Sequence, residues 1–398
     1  MSRLVPKLRF KEFSGEWEDG TLEGISEIVR GGSPRPIDKY MTLDKDALNW
    51  LKIADVDKNS KYVTFTKERV KKTALSKTRE VHPNDLILSN SMSFGRPYIM
   101  KIKSCIHDGW IAVTNILKDI NTHYLYYIIL SPISQKFFVD YAAGGGIRNL
   151  NADIIKSLPV SFSKDPKEQQ KIASCLSSLD ALIEAQNKKV SVLKQHKKGL
   201  MQQLFPAEGE REPKLRFKAF SGEWVEKKLG ECLGYLQPTK YLVSDTNYND
   251  DYDTPVLTAG KTFILGYTNE KSGIFKNNLP VIIFDDFTTA TKYVDFPFKA
   301  KSSAMKILLA KESMNIKFMY ELMQMIKYEV GNHERHWISK FALLDVLIPT
   351  PKEQQKIANT LSTLDNLIEA QDQKITQLKQ HKKGLMQQLF VSSEVAHE

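Results

Sequence analysis

The sequence predicts an α+β protein: two globular domains joined by two long repeated helices, which form an antiparallel coiled coil and give the chain a pseudo-two-fold internal repeat. Three observations lead there. A short block occurs twice, PKLRFKEFSGEW at 6–17 and PKLRFKAFSGEW at 213–224, and the copies differ only where Glu12 of the first is Ala219 of the second. A longer block also occurs twice, at 167–205 and 352–390, with 30 of 39 positions identical. Between each short block and its long block lies a segment with short β-rich runs bounded by Gly, Pro, Asn and Asp. Repetition in the same order identifies two structural units of one kind.

The long blocks carry a heptad pattern. In the first, the seam is Ile172, Leu176, Leu179, Ile183, Gln186, Val190, Leu193, Lys197, Leu200 and Leu204. In the second it is Ile357, Leu361, Leu364, Ile368, Gln371, Ile375, Leu378, Lys382, Leu385 and Leu389. A sustained 3.5-residue period is the signature of a coiled-coil seam, and polar seam residues such as Gln and Lys fix register at a cost in stability. Thirty-nine helical residues span about 58 Å. Pro166 and Pro351 stand where a helix start accepts proline. Each helix follows a globular segment, so a parallel pair would crowd both segments at one end and an antiparallel pair is expected. The expected divisions are a first domain at 1–165 with its repeated tag, a central helix at 166–205, a second domain at 206–350 with its tag, and a terminal helix and tail at 351–398.

The two intervening segments, 18–165 and 225–350, differ in length by 22 residues, yet they share an outline. The run 85–99 parallels 279–295 as strand, turn and strand; 121–130 parallels 315–324 as a short helix with aromatic anchors; 154–160 parallels 345–350, leading into the long helix. One scaffold with diverged loops suits recognition, because loops carry binding.

Composition narrows the class. Hydrophobic residues make up 41% and charged residues 26% of the 398, and the formal net charge is +10. A basic balance favours an anionic partner such as nucleic acid. The charge is uneven: 18–165 carries 21 basic and 17 acidic residues, whereas 225–350 carries 15 of each. The opening MSRLVPKLRF has no apolar core of a signal peptide, and no apolar run approaches membrane-helix length, so no membrane association is expected. Cys105, Cys175 and Cys232 are widely separated, which fits a cytoplasmic protein and no metal site.

The doubled KEQQKIA…LIEAQ…LKQHKKGLMQQLF, each copy preceded by an LP(V/T) or IPT run, resembles the spacer helices of type I restriction-modification specificity subunits. VRGGSPRP (29–36), WLKIADVD (50–57) and VLTAGKTFILGYT (256–268) resemble the starts of their target-recognition domains. The resemblance implies that each recognition domain reads one half of a bipartite sequence in double-stranded DNA. It implies that the helices space the halves and dock two methyltransferase (modification) subunits, and that restriction subunits join the full complex.

Candidate DNA contacts follow from residue chemistry. KERVKKTALSKTR (67–79) concentrates Lys67, Arg69, Lys71, Lys72, Lys77 and Arg79, which suit phosphate contacts. Asn90, Ser91, Ser93 and Arg96 in SNSMSFGR, and Arg148 with Asn149 in GGGIRN, are candidate base or backbone readers, since Asn and Arg bond adenine and guanine bidentately. In the second segment the candidates are Lys261, Thr262, Thr288, Thr289, Thr291, Lys292, Tyr293, Lys301, Ser302, Ser303, Arg335, His336 and Trp337.

Catalytic motifs do not form. There is no Asn/Asp-Pro-Pro-Tyr/Phe tetrad of an adenine methyltransferase. AGKT (259–262) lacks the leading glycine of a phosphate loop, having Pro255 there, and HERH (333–336) spaces its histidines three apart instead of four. Asp285 and Asp286 are adjacent, so on a strand they face opposite sides. The expectation is a non-catalytic subunit without cofactor that serves an enzyme complex. The alternatives are a coiled-coil adaptor that binds protein and no DNA, and a free-standing DNA-binding regulator.

Overall fold

The computed structural model describes residues 5–90, 95–142, 150–258, 260, 262–328 and 336–391. The two repeated blocks are continuous helices, Pro166–Leu204 and Pro351–Leu389, each opening on its proline. The chain forms two compact units, Met1–Gln186 with Lys374–Glu398, and Asn187–Gln373. The helices are therefore not separate bodies between domains. Each unit takes the first half of one helix and the second half of the other.

In the first unit the central sheet has the order Glu27–Arg30, Trp110–Thr114, Leu86–Ser89, Pro97–Met100, Tyr62–Val63. Leu86–Ser89 is buried along its whole length, as a strand covered on both faces must be, which explains why it reads as an unbroken apolar run. The second unit repeats the first four strands in the same order: Leu233–Leu236, Met305–Ala310, Val281–Asp285, Thr291–Val294. The parallels expected between 85–99 and 279–295, and between 121–130 and 315–324, thus occupy equivalent places.

The short helices that follow, Thr122–Leu130 and Ile316–Met325, are capped alike. Asn121 accepts from the Tyr124 amide at 3.0 Å and Asn315 from the Phe318 amide at 2.9 Å, satisfying a donor that a helix start leaves free. The same asparagines tie each domain to its long helix: their backbone amides donate to Gln169 and Gln354, and their side chains donate to Gln170 and Gln355. The strand entering each long helix pairs with the strand after the tag, Pro159–Phe162 with Glu18–Thr21 and Asp345–Ile348 with Val225–Lys228.

The units differ in their outer parts. The first adds a five-stranded sheet (Met41–Thr42, Glu68–Val70, Leu48–Leu51, Ser104–Ile106, Arg79–Val81) where the second has three strands (Ile264–Thr268, Thr254–Leu257, Lys299–Ala300). It also carries the helix Pro132–Ala142, which has no counterpart among the described residues of the second unit.

Within each unit the helices run antiparallel. Ile172, Ala173 and Leu176 share a core with Met386 and Leu389 in the first, and Met201 and Leu204 with Ile357, Ala358 and Leu361 in the second. The two seam lysines are not unpaired. Lys382 binds Asp180 in the first unit, and in the second Lys197 binds Asp365 at 2.7 Å and Glu321 at 2.9 Å. Each half-buried ammonium thus meets an equivalent aspartate on the opposing helix, and the pair fixes the antiparallel register at that level.

The tags are clamps. Arg9 Nε and Nη2 bond both oxygens of Glu168 at 2.7 and 2.8 Å, and Arg216 bonds Glu353 the same way at 2.9 Å each. Glu168 also accepts from the Trp17 indole at 3.3 Å and the Ser163 hydroxyl at 2.5 Å. The third guanidinium nitrogen donates to the carbonyl of Gly15 or Gly222, whose φ of 89° and 84° only glycine adopts readily. The Leu8 amide donates to the Gln388 carbonyl and the Leu215 amide to the Gln203 carbonyl, both at 2.9 Å. Each tag therefore joins the start of one long helix to the end of the other.

Candidate nucleic-acid interface

In the first unit the basic run lies on a strand (Glu68–Val70), a 3-10 helix (Lys72–Lys77) and a second strand (Arg79–Val81), not on a free loop. Lys67, Lys71, Lys72, Lys77 and Arg79 are exposed, while half-buried Arg69 donates to the Ala47 carbonyl at 3.0 Å. The Lys71 ammonium donates to the Lys39 carbonyl, and that of Lys77 stands 5.2 Å from the Tyr40 ring centre. The segment 33–41 that these lysines touch forms one wall of a cavity of about 490 Å³, whose other walls include Trp50, Lys52, Glu68, His107 and Asp108. Asp108 organises it, accepting from Ser33 Oγ at 2.9 Å, with His107 Nε2 at 3.0 Å and Arg35 Nη2 at 4.0 Å. The Arg35 side chain is otherwise in solvent. The run and the cavity share a face, combining point charges for phosphate with a shaped site where Arg35, Lys52 and His107 can meet base edges. Arg35 lies in VRGGSPRP and Lys52 in WLKIADVD, which marked domain starts but not contacts; His107 carried no local signal.

The other candidates divide by burial. Asn90 is buried, its amide nitrogen 3.3 Å from the Asp108 carbonyl, so it holds the 107–109 turn and does not face a ligand. Arg96 turns back onto its own domain, over the Tyr98 ring and near the carbonyls of Asn59 and Ser60. Ser91, Ser93, Arg148 and Asn149 lie outside the described residues, as do Lys261 and Arg335.

In the second unit three loops converge. The Lys301 amide donates to the Leu257 carbonyl, the Asp286 amide to the Ala304 carbonyl, and the Lys292 ammonium stands 5.9 Å from the Phe263 ring. Thr262, Thr288, Lys292, Lys301, Ser302 and Ser303 are exposed there, and Thr289 is half-buried at a φ of 60°. Thr291 accepts from Gln324, and half-buried Tyr293 packs near Tyr320 and Lys317. His336 and Trp337 are corrections. Trp337 is 1% exposed against Phe284, and His336 is equally enclosed with Tyr328, so neither ring has a face to offer DNA.

The adjacent aspartates of this unit do not share a strand, which ends at Asp285, and they take different partners. Asp285 accepts from the amides of Phe287 and Thr288, and fully buried Asp286 pairs with Lys306 at 3.1 Å and accepts from the Trp337 amide. Both shape the loop. Among the described residues no group of three or more His, Cys, Asp or Glu is placed to hold a metal, and no helix is long and apolar enough to cross a membrane.

Comparison with known proteins agrees with this architecture. The family model for the type I restriction modification DNA specificity domain matches twice, at 14–195 and 221–380. The specificity subunit of the type I restriction enzyme EcoR124I/EcoR124II of Escherichia coli is 51% identical over 139 residues, 34% of this chain and 34% of that protein. The chain therefore matches about a third of that relative's length. The putative type I restriction enzyme MjaX specificity subunit of Methanocaldococcus jannaschii is 26% identical over 96% of this chain and 95% of its own. In fold, the crystal structure of a type I restriction-modification S subunit from M. genitalium superposes with a TM-score of 0.63 at 16% identity, covering 97% of this chain and 99% of that one. With two copies of the family domain, each taking in one intervening segment and most of one long helix and together covering most of the chain, the chain belongs to the type I restriction modification DNA specificity family.

Proposed function

We propose that this chain reads a bipartite sequence in double-stranded DNA and carries two methyltransferase subunits to it, without chemistry of its own; restriction subunits complete the assembly. The observation that carries the reading is the contrast inside the repeat. The two units share a four-stranded core, a capped helix and a clamp, yet their rims differ in strand number, charge and loop sequence. A common scaffold with unlike rims suits two recognition surfaces for unlike half-sites. The first surface comprises Arg35, Lys52 and His107 with Lys67, Lys71, Lys72, Lys77 and Arg79. The second comprises Thr262, Thr288, Lys292, Lys301, Ser302 and Ser303. With zero net charge across 225–350, the second domain draws its affinity from this local cluster and from its partners.

The test is a domain exchange. Residues 18–165 are replaced with the matching segment of another family member, and methylated adenines are mapped in a genome expressing the chimera with its methyltransferase. One half-site should change while the other and the spacer stay. A change in both halves together would sink the two-surface reading.

A further inference from the structure

The cavity of the first unit carries a charge that its surroundings do not foretell. The basic run 67–79 lies beside it, yet its walls hold three carboxylates, Asp38, Glu68 and Asp108, against two permanent cations, Arg35 and Lys52. Carboxylates repel phosphate, so on a face that meets DNA they make no backbone contact. They can accept hydrogen bonds from the amino groups of bases.

Most polar atoms on these walls already have partners. The Lys52 ammonium bonds Glu68. The Gly109 amide donates to His107 Nδ1 at 2.9 Å, so the His107 proton sits on Nε2, which faces Asp108 Oδ1 at 3.0 Å. Ser33 Oγ donates to the same oxygen at 2.9 Å. The Asp108 carbonyl accepts from Arg30 Nε at 3.1 Å and from the Asn90 amide nitrogen at 3.3 Å. Asp108 is therefore fixed on every side but one. Among the described residues its Oδ2 accepts no hydrogen bond, and the group facing it is the Arg35 guanidinium at 4.0 Å, too far for one. The Arg35 side chain is 86% exposed, but the segment that bears it is seated closely. A Cβ at Gly31 would stand 2.2 Å from the His107 carbonyl oxygen, and one at Gly32 2.6 Å from that of Lys77, so glycine is needed at both positions.

We infer that Arg35 and Asp108 together read one G·C pair of the first half-site, Arg35 donating to O6 and N7 of guanine and Asp108 Oδ2 accepting from N4 of cytosine. The assignment rests on the proposed function and deepens it. In the major groove guanine presents two acceptors and cytosine one donor, side by side in the same pair. A fork of donors beside an open carboxylate oxygen is the complement of that pattern. An A·T pair fits less well: with the adenine amino group on Asp108, the guanidinium meets only O4 of thymine in place of two acceptors. A phosphate fits worse, because Asp108 would face it.

The full-length chain is assembled with the methyltransferase of the same system and its methylated sequence is mapped. The first half-site is the half that exchange of 18–165 changes. Duplexes carrying each of the four pairs at each of its positions are then competed for binding. Wild type should require G·C at one position, with the other three pairs weaker by about tenfold or more, which is about 1.4 kcal/mol or more. Arg35→Gln should move the preference there towards adenine, which glutamine bonds bidentately. Asp108→Ala should relax the requirement at that same position and leave the rest of the sequence intact. Because the Arg35 side chain is exposed, Arg35→Gln should melt with wild type, and it carries the test alone if Asp108→Ala does not fold. A first half-site without G·C would overturn the inference. So would changes at two separate positions in the two variants. Equal weakening of every duplex by Arg35→Gln, with a shallower salt dependence, would also overturn it by assigning Arg35 to a phosphate. Failure of the wild type to methylate any bipartite sequence would sink the proposed function, and this assignment with it.

Discussion

At the residue scale, the two units solve one electrostatic problem differently. In the second, Lys197 and Lys317 face Asp365 and Glu321, two cations against two anions, and Glu321 is 0% exposed. Burial acts to lower the Lys317 pKa, but bonds to Asp365 and Glu321 outweigh it and raise it. In the first unit Lys61 and Lys382 face, among the described residues, the single carboxylate of Asp180, with Tyr127 and Ser177 supplying neutral oxygens. Burial there pushes the Lys61 ammonium down to about 8, and Lys382 and Lys101 act in the same sense against the attraction of Asp180. The free chain binds this proton up to about pH 10.4. Between pH 8 and 10 the unfolded state thus holds more protons at this site than the folded state, so stability rises with pH across that window. The penalty from the Lys61 charge grows as pH falls from 10 to 8 and is fully present below 8. Lys61→Met removes a cation that burial disfavours. The variant should melt above wild type at pH 7, and the gap in Tm should shrink as pH rises from 8 to 10. A gap independent of pH would mean that the charge on Lys61 is not the cause.

At the element scale, the long helices are the most legible part of the sequence because their signal is local: a 3.5-residue period reports its own burial at every turn. Their seam lysines show in the sequence as a cost of register. That Asp180 and Asp365 offset this cost does not show, since Asp180 stands 202 residues from Lys382 and Asp365 stands 168 from Lys197. The tags are visible as repeats, but their task depends on an Arg9–Glu168 bond spanning 159 residues. Arg9→Ala should strand the Glu168 carboxylate, leaving only Trp17 and Ser163 as donors, and cost about 2–4 kcal/mol in urea unfolding. Arg9→Lys should recover part of this, because charge returns without the two-pronged fork. Equal loss in both variants would show that the fork, not the charge, is what matters. The recognition segments are legible in their shared core and illegible at their rims. Parallel pairings such as Ser104–Ile106 with Leu48–Leu51 leave no local mark. Nor can residue type tell that Asn90, His336 and Trp337 are enclosed while Arg35 is exposed. The basic run survives as a surface feature. Changing Lys67, Lys71, Lys72 and Lys77 to Gln should weaken binding to all duplexes alike and reduce the salt slope by about 0.9 for each phosphate no longer neutralised. An unchanged slope would place the run against solvent or a partner subunit.

At the scale of the whole molecule, chain order and structural order part company. The first recognition domain lies at the beginning of the chain, yet its compact unit is completed by residues from the end. Tyr124, Ile172 and Leu176 share a core with Met386, Leu389 and Phe390, and the Tyr124 and Phe390 rings are 5.8 Å apart. The second unit, by contrast, is one continuous stretch, closed by Met201, Leu204 and Phe205 from its own helix end. Removing the chain beyond Gln373 should therefore damage the distant N-terminal unit more than the adjacent one. Burial of Met386, Leu389 and Phe390 is worth several kcal/mol to the first core, since losing a single buried Leu, Met or Phe costs about 2–5 kcal/mol. Such a loss is a large fraction of the total stability of a domain. Hydrogen exchange on the truncated chain reads this directly. Amides in 86–89 and 110–114, the centre of the first sheet, should exchange faster, while those in 281–285 and 305–310 keep their protection. The reverse pattern, with the second sheet opening and the first unchanged, would mean that each recognition domain is stabilised by its own helix alone and that the clamp between the start of one helix and the end of the other does not complete the first unit.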